Sequence, residues 1–290
     1  MDCIIETRHL TKTYPGFTLD AVNLRVPYGR IVGLVGENGA GKTTLISLIL
    51  NQIKRDSGCV RVFGKDNIEK EQEIKQEIGF FVEQSGFHDC LNAKDINGIM
   101  KHVYKKWDEA HFERLLTKLD VETSKKVKDM SKGMKSKLML AVAMSHKPAL
   151  LILDEVTSGL DPVVRDDILK LLKEYVSGKK NTTVFFSTHI TSDLDKVADD
   201  VAFLHEGRLV FYEPIDKLHH EYALIRCSPD NFNTIDPKDV IMSYQDGDKH
   251  LVLTHRNSKY ADDTGEIGIP AIDDIMLLYI RGGNGNEGID

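Results

Sequence analysis

Several kinds of residue are scarce in this 290-residue sequence. Cysteine and proline number only four and eight, there is a single tryptophan, and aromatic residues make up 7%. The four cysteines, Cys3, Cys59, Cys90 and Cys227, lie far apart without C-x-x-C spacing. That pattern argues against a disulfide framework or a zinc site and fits reduced thiols in a cytosolic protein. Basic charge is not in excess either. Lys and Arg number 38 against 45 Asp and Glu, a formal net charge of −7, whereas a nucleic-acid binder normally carries a basic face. No apolar run approaches the roughly 18 residues that span a bilayer. The start, Met1-Asp2-Cys3-Ile4-Ile5-Glu6, lacks the basic opening and apolar core of a signal peptide. The chain is therefore expected to be soluble by itself, with any membrane role depending on a partner. Internal repeats and low-complexity segments are absent too. An apolar share of 41% nevertheless supplies ample material for a buried core.

What is present centres on Gly36-Glu37-Asn38-Gly39-Ala40-Gly41-Lys42-Thr43-Thr44. This is G-x-x-x-x-G-K-[ST], the loop that wraps nucleotide phosphates. The apolar run Ile31–Val35 reads as a buried strand entering it, and the segment from Thr44 to Ile49 as a helix leaving it. Glycines let the backbone curl so that its N–H groups point inward, and the helix N-terminus adds positive potential where phosphate sits. Lys42 is placed to reach the β- and γ-phosphates, and the Thr43 hydroxyl to hold Mg²⁺. The competing reading is a glycine-rich turn that merely caps a helix. A chance match in a chain this long has odds on the order of one per cent from average residue usage, and the flanking strand and helix lower them further.

The rest of the chain falls into blocks. Residues 4–35 look like antiparallel strands ahead of the loop, and short strands are expected at 58–64 and 78–82. From about 85 to 146 the sequence turns polar, rich in Lys and helical in period. Phe112, Leu115, Leu116 and Leu119 form one face of a helix that Asp108 can cap. This block reads as a helical subdomain inserted into an α/β core. The core resumes at Ala149–Glu155, an aliphatic run suited to a strand buried on both faces. A helix with Pro162 at its first position follows and stops at Ser177-Gly178. Strand 183–188, a short helix, and strands around 200–204 and 208–212 come next. After residue 212 the pattern weakens into a small α+β appendage over 213–290, with a short apolar helix at 272–280 and a frayed tail at 281–288.

Asp154 ends the buried strand and is the expected Mg²⁺ carboxylate. Glu155 then faces the opening, where a carboxylate can polarise a water for in-line attack on the γ-phosphate. A solvated Asp-Glu turn is the plainer alternative, disfavoured by the apolar strand ahead of the pair.

Met130-Ser131-Lys132-Gly133-Met134 lies just upstream of this strand, Ser158-Gly159-Leu160-Asp161-Pro162 follows it, and Ser187-Thr188-His189 closes the next one. In that order and spacing they resemble the ATP-binding subunit of an ABC transporter, over residues 3–212. The resemblance implies a P-loop NTPase core with an antiparallel β subdomain. It implies that Gly36, Asn38, Gly39, Ala40, Gly41, Lys42, Thr43 and Thr44 cradle ATP, and that Gln84 senses Mg²⁺. Residues 130–134 match the family's signature, usually Leu-Ser-Gly-Gly-Gln. Ser131 and Gly133 would bind the γ-phosphate held by another subunit, while Lys132 and Met134 depart from the pattern. Asp161 matches the loop lining the dimer interface and can also cap the Pro162 helix. His189 matches the switch histidine on the γ-phosphate, and Tyr14 the ring stacked on adenine. Val156 stands where the family usually has proline.

Ser-Lys-Gly-Met in the signature, Trp107-Asp108 and the 270–275 segment fit the ABC-2-type bacterial exporters of antimicrobial or amphipathic peptides and drugs. The implied partners are a transmembrane permease and a second ATP-binding subunit, of the same or a related chain, at the cytoplasmic face of the membrane. The region near 85–100, with Phe87, Leu91 and Ile96, is expected either to form a groove for the permease or simply to pack inside the helical subdomain. The rival class is a soluble ABC ATPase serving DNA repair or ribosomes. Repair members usually insert a long coiled coil ahead of the signature, and ribosomal members carry two ATP-binding units. Neither feature is found here.

Overall fold

Alternation of apolar and polar side chains builds the first layer. Strands β1 (Cys3–Tyr14) and β2 (Phe17–Pro27) turn Ile5, Leu10, Leu19, Val22, Leu24 and Val26 inward, each at most 2% exposed. They pair antiparallel across a two-residue turn that sets Tyr14 opposite Phe17. β4 (Ser57–Val62) joins the other side of β1, and β5 (Lys65–Asp66) completes the order β2-β1-β4-β5. This computed structural model describes residues 3–82, 86–256 and 266–284. They form two compact units, Met1–Ala198 with Leu204–Val210, and Asp199–Phe203 with Phe211–Asp290.

Strands buried on both faces build the second layer. β3 (Ile31–Val35), β7 (Leu150–Asp154) and β8 (Thr183–Thr188) are buried at every residue, as strands covered on both faces must be. With β6 (Ile78–Phe81), β9 (Asp200–His205) and β10 (Arg208–Pro214) they give a sheet in the order β10-β9-β3-β8-β7-β6. β3, β8, β7 and β6 are mutually parallel. Parallel strands gather their carboxyl ends at one edge, where ligands of such sheets bind. Val35, Asp154 and Thr188 are therefore brought together, and the loops after them build the site. The opposite edge collects the strand starts at Ile31, Leu150 and Thr183.

Helices fill the connections. α1 (Lys42–Ile49) follows the phosphate loop, and α2 (Glu71–Gln76) precedes β6. α3 (Ala93–Val103), α4 (Glu109–Lys118) and α5 (Lys132–Ser145) lie between β6 and β7. Local caps set their starts. Asn92 forms a capping box, the Asp108 carboxylate accepts from His111 N at 2.8 Å, and the Ser131 hydroxyl accepts from Met134 N at 3.2 Å. Ile96 is fully buried, so it packs inside the helices, one of the two expectations for this region; Phe87 and Leu91 are half-buried. α6 (Pro162–Val176) starts at Asp161, whose carboxylate accepts from Val163 N and Val164 N, both at 3.1 Å. α7 (Thr191–Val197) follows β8.

In the second unit, β11 (Tyr222–Cys227), β12 (Met242–Asp246), β13 (Lys249–His255), β14 (Glu266–Gly268) and β15 (Gly283–Asn284) form an antiparallel sheet in the order β14-β11-β13-β12-β15. Helices α8 (Ile215–Glu221), α9 (Pro229–Phe232) and α10 (Ile272–Arg281) accompany it. Ile225, Cys227, Ile235, Val240 and Val252 form its core. The frayed tail expected at 281–288 is corrected at its start. α10 runs to Arg281, and Gly283 and Asn284 pair with Ser243 and Met242. Glycine-rich composition suggested fraying, but the open edge of β12 supplies backbone partners. Residues 285–288 lie outside the described ones. Among the described residues, no helix is long and apolar enough to cross a membrane.

Candidate nucleotide site

The phosphate loop is shaped by close backbone approach. A Cβ on Gly36 would stand 2.2 Å from the Leu204 carbonyl oxygen, so no side chain fits there. Gly41 takes φ 107° as the N-cap of α1, a conformation that favours glycine. Ala40 is buried, and its N–H donates to Glu37 O at 3.1 Å, which tightens the turn. Lys42 is only 5% exposed. Its Nζ donates to the loop carbonyls of Gly36 at 2.8 Å and Glu37 at 3.2 Å, and lies 3.4 Å from Glu155 Oε1. The ammonium is thus held inside the loop, facing the space a phosphate would take.

A cavity of about 770 Å³ opens over this lysine. Asn38, Gly39 and Gly41 to Thr44 form one wall, Gly16 and Phe17 a second, and Glu155, Ser158 and His189 a third. Beneath it, Thr43 Oγ1 donates to Asp154 Oδ2 at 2.8 Å, and Ser187 Oγ donates to Asp154 Oδ1 at 2.5 Å. Ser187 Oγ also accepts from Glu155 N at 2.9 Å. One hydroxyl therefore fixes both acids. Glu155 has φ 52°, in the left-handed region that non-glycine residues seldom occupy. That twist turns its side chain from the strand into the cavity. Its Oε2 lies 2.7 Å from His189 Nδ1.

Lys42, Thr43, Thr44, Asp154, Glu155 and His189 are therefore gathered at one place. Tyr14 is not on the wall. It is 38% exposed at the tip of the β1–β2 hairpin, with Lys12 Nζ 5.4 Å from its ring centroid, and its cross-strand neighbour Phe17 faces the loop instead. Gln84 lies outside the described residues. Ser131, Gly133 and Asp161 line a second cavity, of about 740 Å³, together with Lys132 and Gly159. The loop after β7 connects the two, since Ser158 lines the first and Gly159 the second.

Sequence reasoning missed three parts of this arrangement. Ser187 was only part of a motif, Phe17 only the start of a strand, and Asp193 a polar residue on a short helix. Asp193 is fully buried. It accepts from Thr157 Oγ1 at 2.7 Å and Arg165 Nε at 2.5 Å, and so anchors the loop between Glu155 and Asp161. A carboxylate at Asp193 with an arginine 28 positions upstream leaves no local signal. For Phe17, the signal was its nearness to the hairpin turn.

Residues 19–158 match the ABC transporter family. The chain is 37% identical over 265 residues to the bacitracin transport ATP-binding protein BcrA of Bacillus licheniformis, covering 89% of this chain and 84% of that protein. It is 33% identical to the ABC transporter ATP-binding protein YtrB of Bacillus subtilis, over 96% of this chain and 90% of that one. Among solved structures, an ATP-binding subunit of an ABC transporter superposes with a TM-score of 0.67 at 26% identity, covering 74% of this chain and 92% of that chain. A dimeric ATP-binding cassette in a post-hydrolysis state, bound to ADP and Pi, shares the fold with a TM-score of 0.66 at 21% identity, covering 73% and 98%. With a phosphate loop, a strand-end acid pair and relatives matched over nearly its whole length, this chain belongs to the ATP-binding subunits of the ABC transporter family.

Proposed function

We propose that the chain is the ATP-hydrolysing motor of an exporter, with residues 1–212 as its ATP-binding domain and 213–290 as an accessory one. One observation carries the reading: Lys42, Thr43, Glu155 and His189 line a single cavity at the carboxyl edge of the sheet, with Asp154 bonded to Thr43 beneath it. Binding ATP exchanges the carbonyl contacts of Lys42 for β- and γ-phosphate oxygens, while the N–H groups of residues 38–44 surround the same oxygens. Tyr14 or Phe17 offers a ring to adenine from the hairpin.

The oxygens of Thr43 and Asp154 suit a magnesium ion, which takes few protein ligands and completes its shell with phosphate and water. When bound, such an ion neutralises charge on the transferring phosphoryl group. Gln84, three positions beyond the end of β6 in the sequence, is proposed to sense it. Glu155 accepts a proton from the attacking water, and His189 holds the carboxylate in place and faces the γ-phosphate.

The signature cavity with Ser131, Gly133 and Asp161 is separate from the phosphate cavity. A sandwich in which each signature closes on the other subunit's γ-phosphate therefore takes two subunits, of like or related chains. Hydrolysis opens the sandwich and moves a separate permease at the cytoplasmic face of the membrane. Kinship to a protein named for bacitracin transport supports amphipathic peptides or drugs as cargo. No nucleic-acid partner is proposed. Lys42→Ala removes the point charge facing the phosphates and should abolish ATP binding. Near-native affinity in that variant, measured by nucleotide titration, would overturn the assignment.

A further inference from the structure

A cavity of about 1000 Å³ lies elsewhere on the Met1–Ala198 unit, and its walls are unlike the others. Its floor is the outer face of the β2-β1-β4 sheet. The register sets Glu6 opposite Arg25 on one side and Arg61 on the other. Arg8, two residues along β1, shares that face. Glu6 Oε1 accepts from Arg8 (Nε 3.1 Å, Nη2 2.8 Å) and from Arg25 (Nε 3.1 Å, Nη2 2.9 Å). One oxygen thus fixes two guanidiniums side by side, and these bonds hold the Glu6 carboxyl below its usual range. Each arginine has used two of its five N–H donors. The side chains of Arg8 and Arg25 are 57% and 69% exposed above a carboxylate that is 16% exposed. Arg61 is exposed and forms no ion pair among the described residues.

Three guanidiniums against one carboxylate leave a local excess of positive charge in a chain with a net charge of −7. Like charges clustered on adjacent strands destabilise a sheet, so folding by itself does not favour the group. The place is not the nucleotide site. Ala149 and Asn181 line it just before β7 and β8, at the edge where the parallel strands begin. The phosphate loop follows the end of β3.

We infer that this groove binds a small polyanion carrying at least two phosphate groups. Guanidinium forks match phosphate oxygens. The arginines stand on three neighbouring strands, and the outer two of these are about 10 Å apart, too far for one phosphate to engage every fork. The anion is either free in solution or the headgroup of a lipid, since both present the same oxygens.

The test is calorimetric titration of the full chain with inorganic tripolyphosphate, its phosphate loop first saturated with ADP, together with sedimentation on phosphatidylcholine vesicles containing cardiolipin, whose headgroup carries two phosphates. Expected is one added site for tripolyphosphate, weakened at least tenfold in Arg61→Gln and in Arg8→Gln, and weakened again by salt. Vesicle binding lost in the same variants, with no tripolyphosphate heat, assigns the site to a headgroup. Melting temperatures no lower than the native one control for folding, which these exposed positions should preserve. The inference fails if neither probe binds, or if binding is the same in both arginine variants as in the native chain.

Discussion

Replacing Glu155 by glutamine separates two roles of one carboxylate. Its Oε2 lies 2.7 Å from His189 Nδ1, and its Oε1 lies 3.4 Å from Lys42 Nζ. Glutamine keeps the length and an acceptor oxygen, so the contact with His189 survives. The negative charge and the basicity do not. Loss of a general base lowers a rate by about 10²- to 10⁴-fold, roughly 3 to 5 kcal/mol on the barrier. Binding should move the other way. Two unit charges 3.4 Å apart attract by about 5 kcal/mol at an effective dielectric constant near 20. Desolvation and the competing carbonyl contacts offset most of that, which leaves about 1 kcal/mol net. Glutamine frees Lys42 of this partner and removes a carboxylate that repels the γ-phosphate. ATP affinity should therefore rise about fivefold while turnover collapses. Nucleotide titration and single-turnover phosphate release measure the two halves, and gel filtration with ATP should show a persistent dimer. Turnover within about threefold of native would place the base elsewhere. A chain monomeric at every ATP concentration would mean that the partner subunit is a different chain.

Gly133 tests the signature. A Cβ there would meet nothing nearer than Val164 Cγ1 at 3.5 Å, so the fold itself tolerates a side chain. Gly133→Ala should leave the melting temperature unchanged or raise it, and Gly133→Asp should stop hydrolysis by setting charge and bulk against the opposing phosphate; native turnover in both would remove this segment from the site. Lys132 reaches over Gly159, with its Nζ 3.0 Å from where a Cβ there would stand. Lys132→Gly should change turnover only a few-fold, about 1 kcal/mol, and any steering role should fade as salt rises; an effect independent of salt refutes steering. His146 is 1% exposed, stacks on Tyr104 with ring centroids 3.8 Å apart, and lies with Nε2 3.1 Å from Ile78 O. Burial pushes its imidazole down from 6.5 to about 4. The unfolded chain takes up this proton near pH 6.5 and the folded one only near 4, so the stability is fully present above 6.5 and is lost as pH falls toward 4, by about 3 kcal/mol in all. Urea unfolding across that range should flatten in His146→Phe, and parallel curves for the two proteins would contradict the assignment.

Much of the molecule is written locally in its sequence. Asp108 and Asp161 cap helices because a carboxylate reaches the N–H groups two or three residues ahead. The 150–153 run is a buried strand because it is aliphatic without interruption, and the phosphate loop follows from residue spacing alone. These signals act within a few residues and survive whatever surrounds them. The tertiary structure decided what joins distant segments. Ser187 fixes Asp154 and Glu155 because the β7–β8 register sets Asp154 opposite Ser187. Phe17 rather than Tyr14 reaches the loop because its ring lies against Gly41, 2.8 Å from where a Cβ there would stand. Gly283 and Asn284 form a strand because β12 leaves an edge to pair with. Asp193 is buried because Thr157 and Arg165 come to it from another segment. A side chain's own neighbours set its conformation, but burial and hydrogen-bond partners depend on which strands lie side by side. That is a property of the whole chain's packing, and no local stretch carries it.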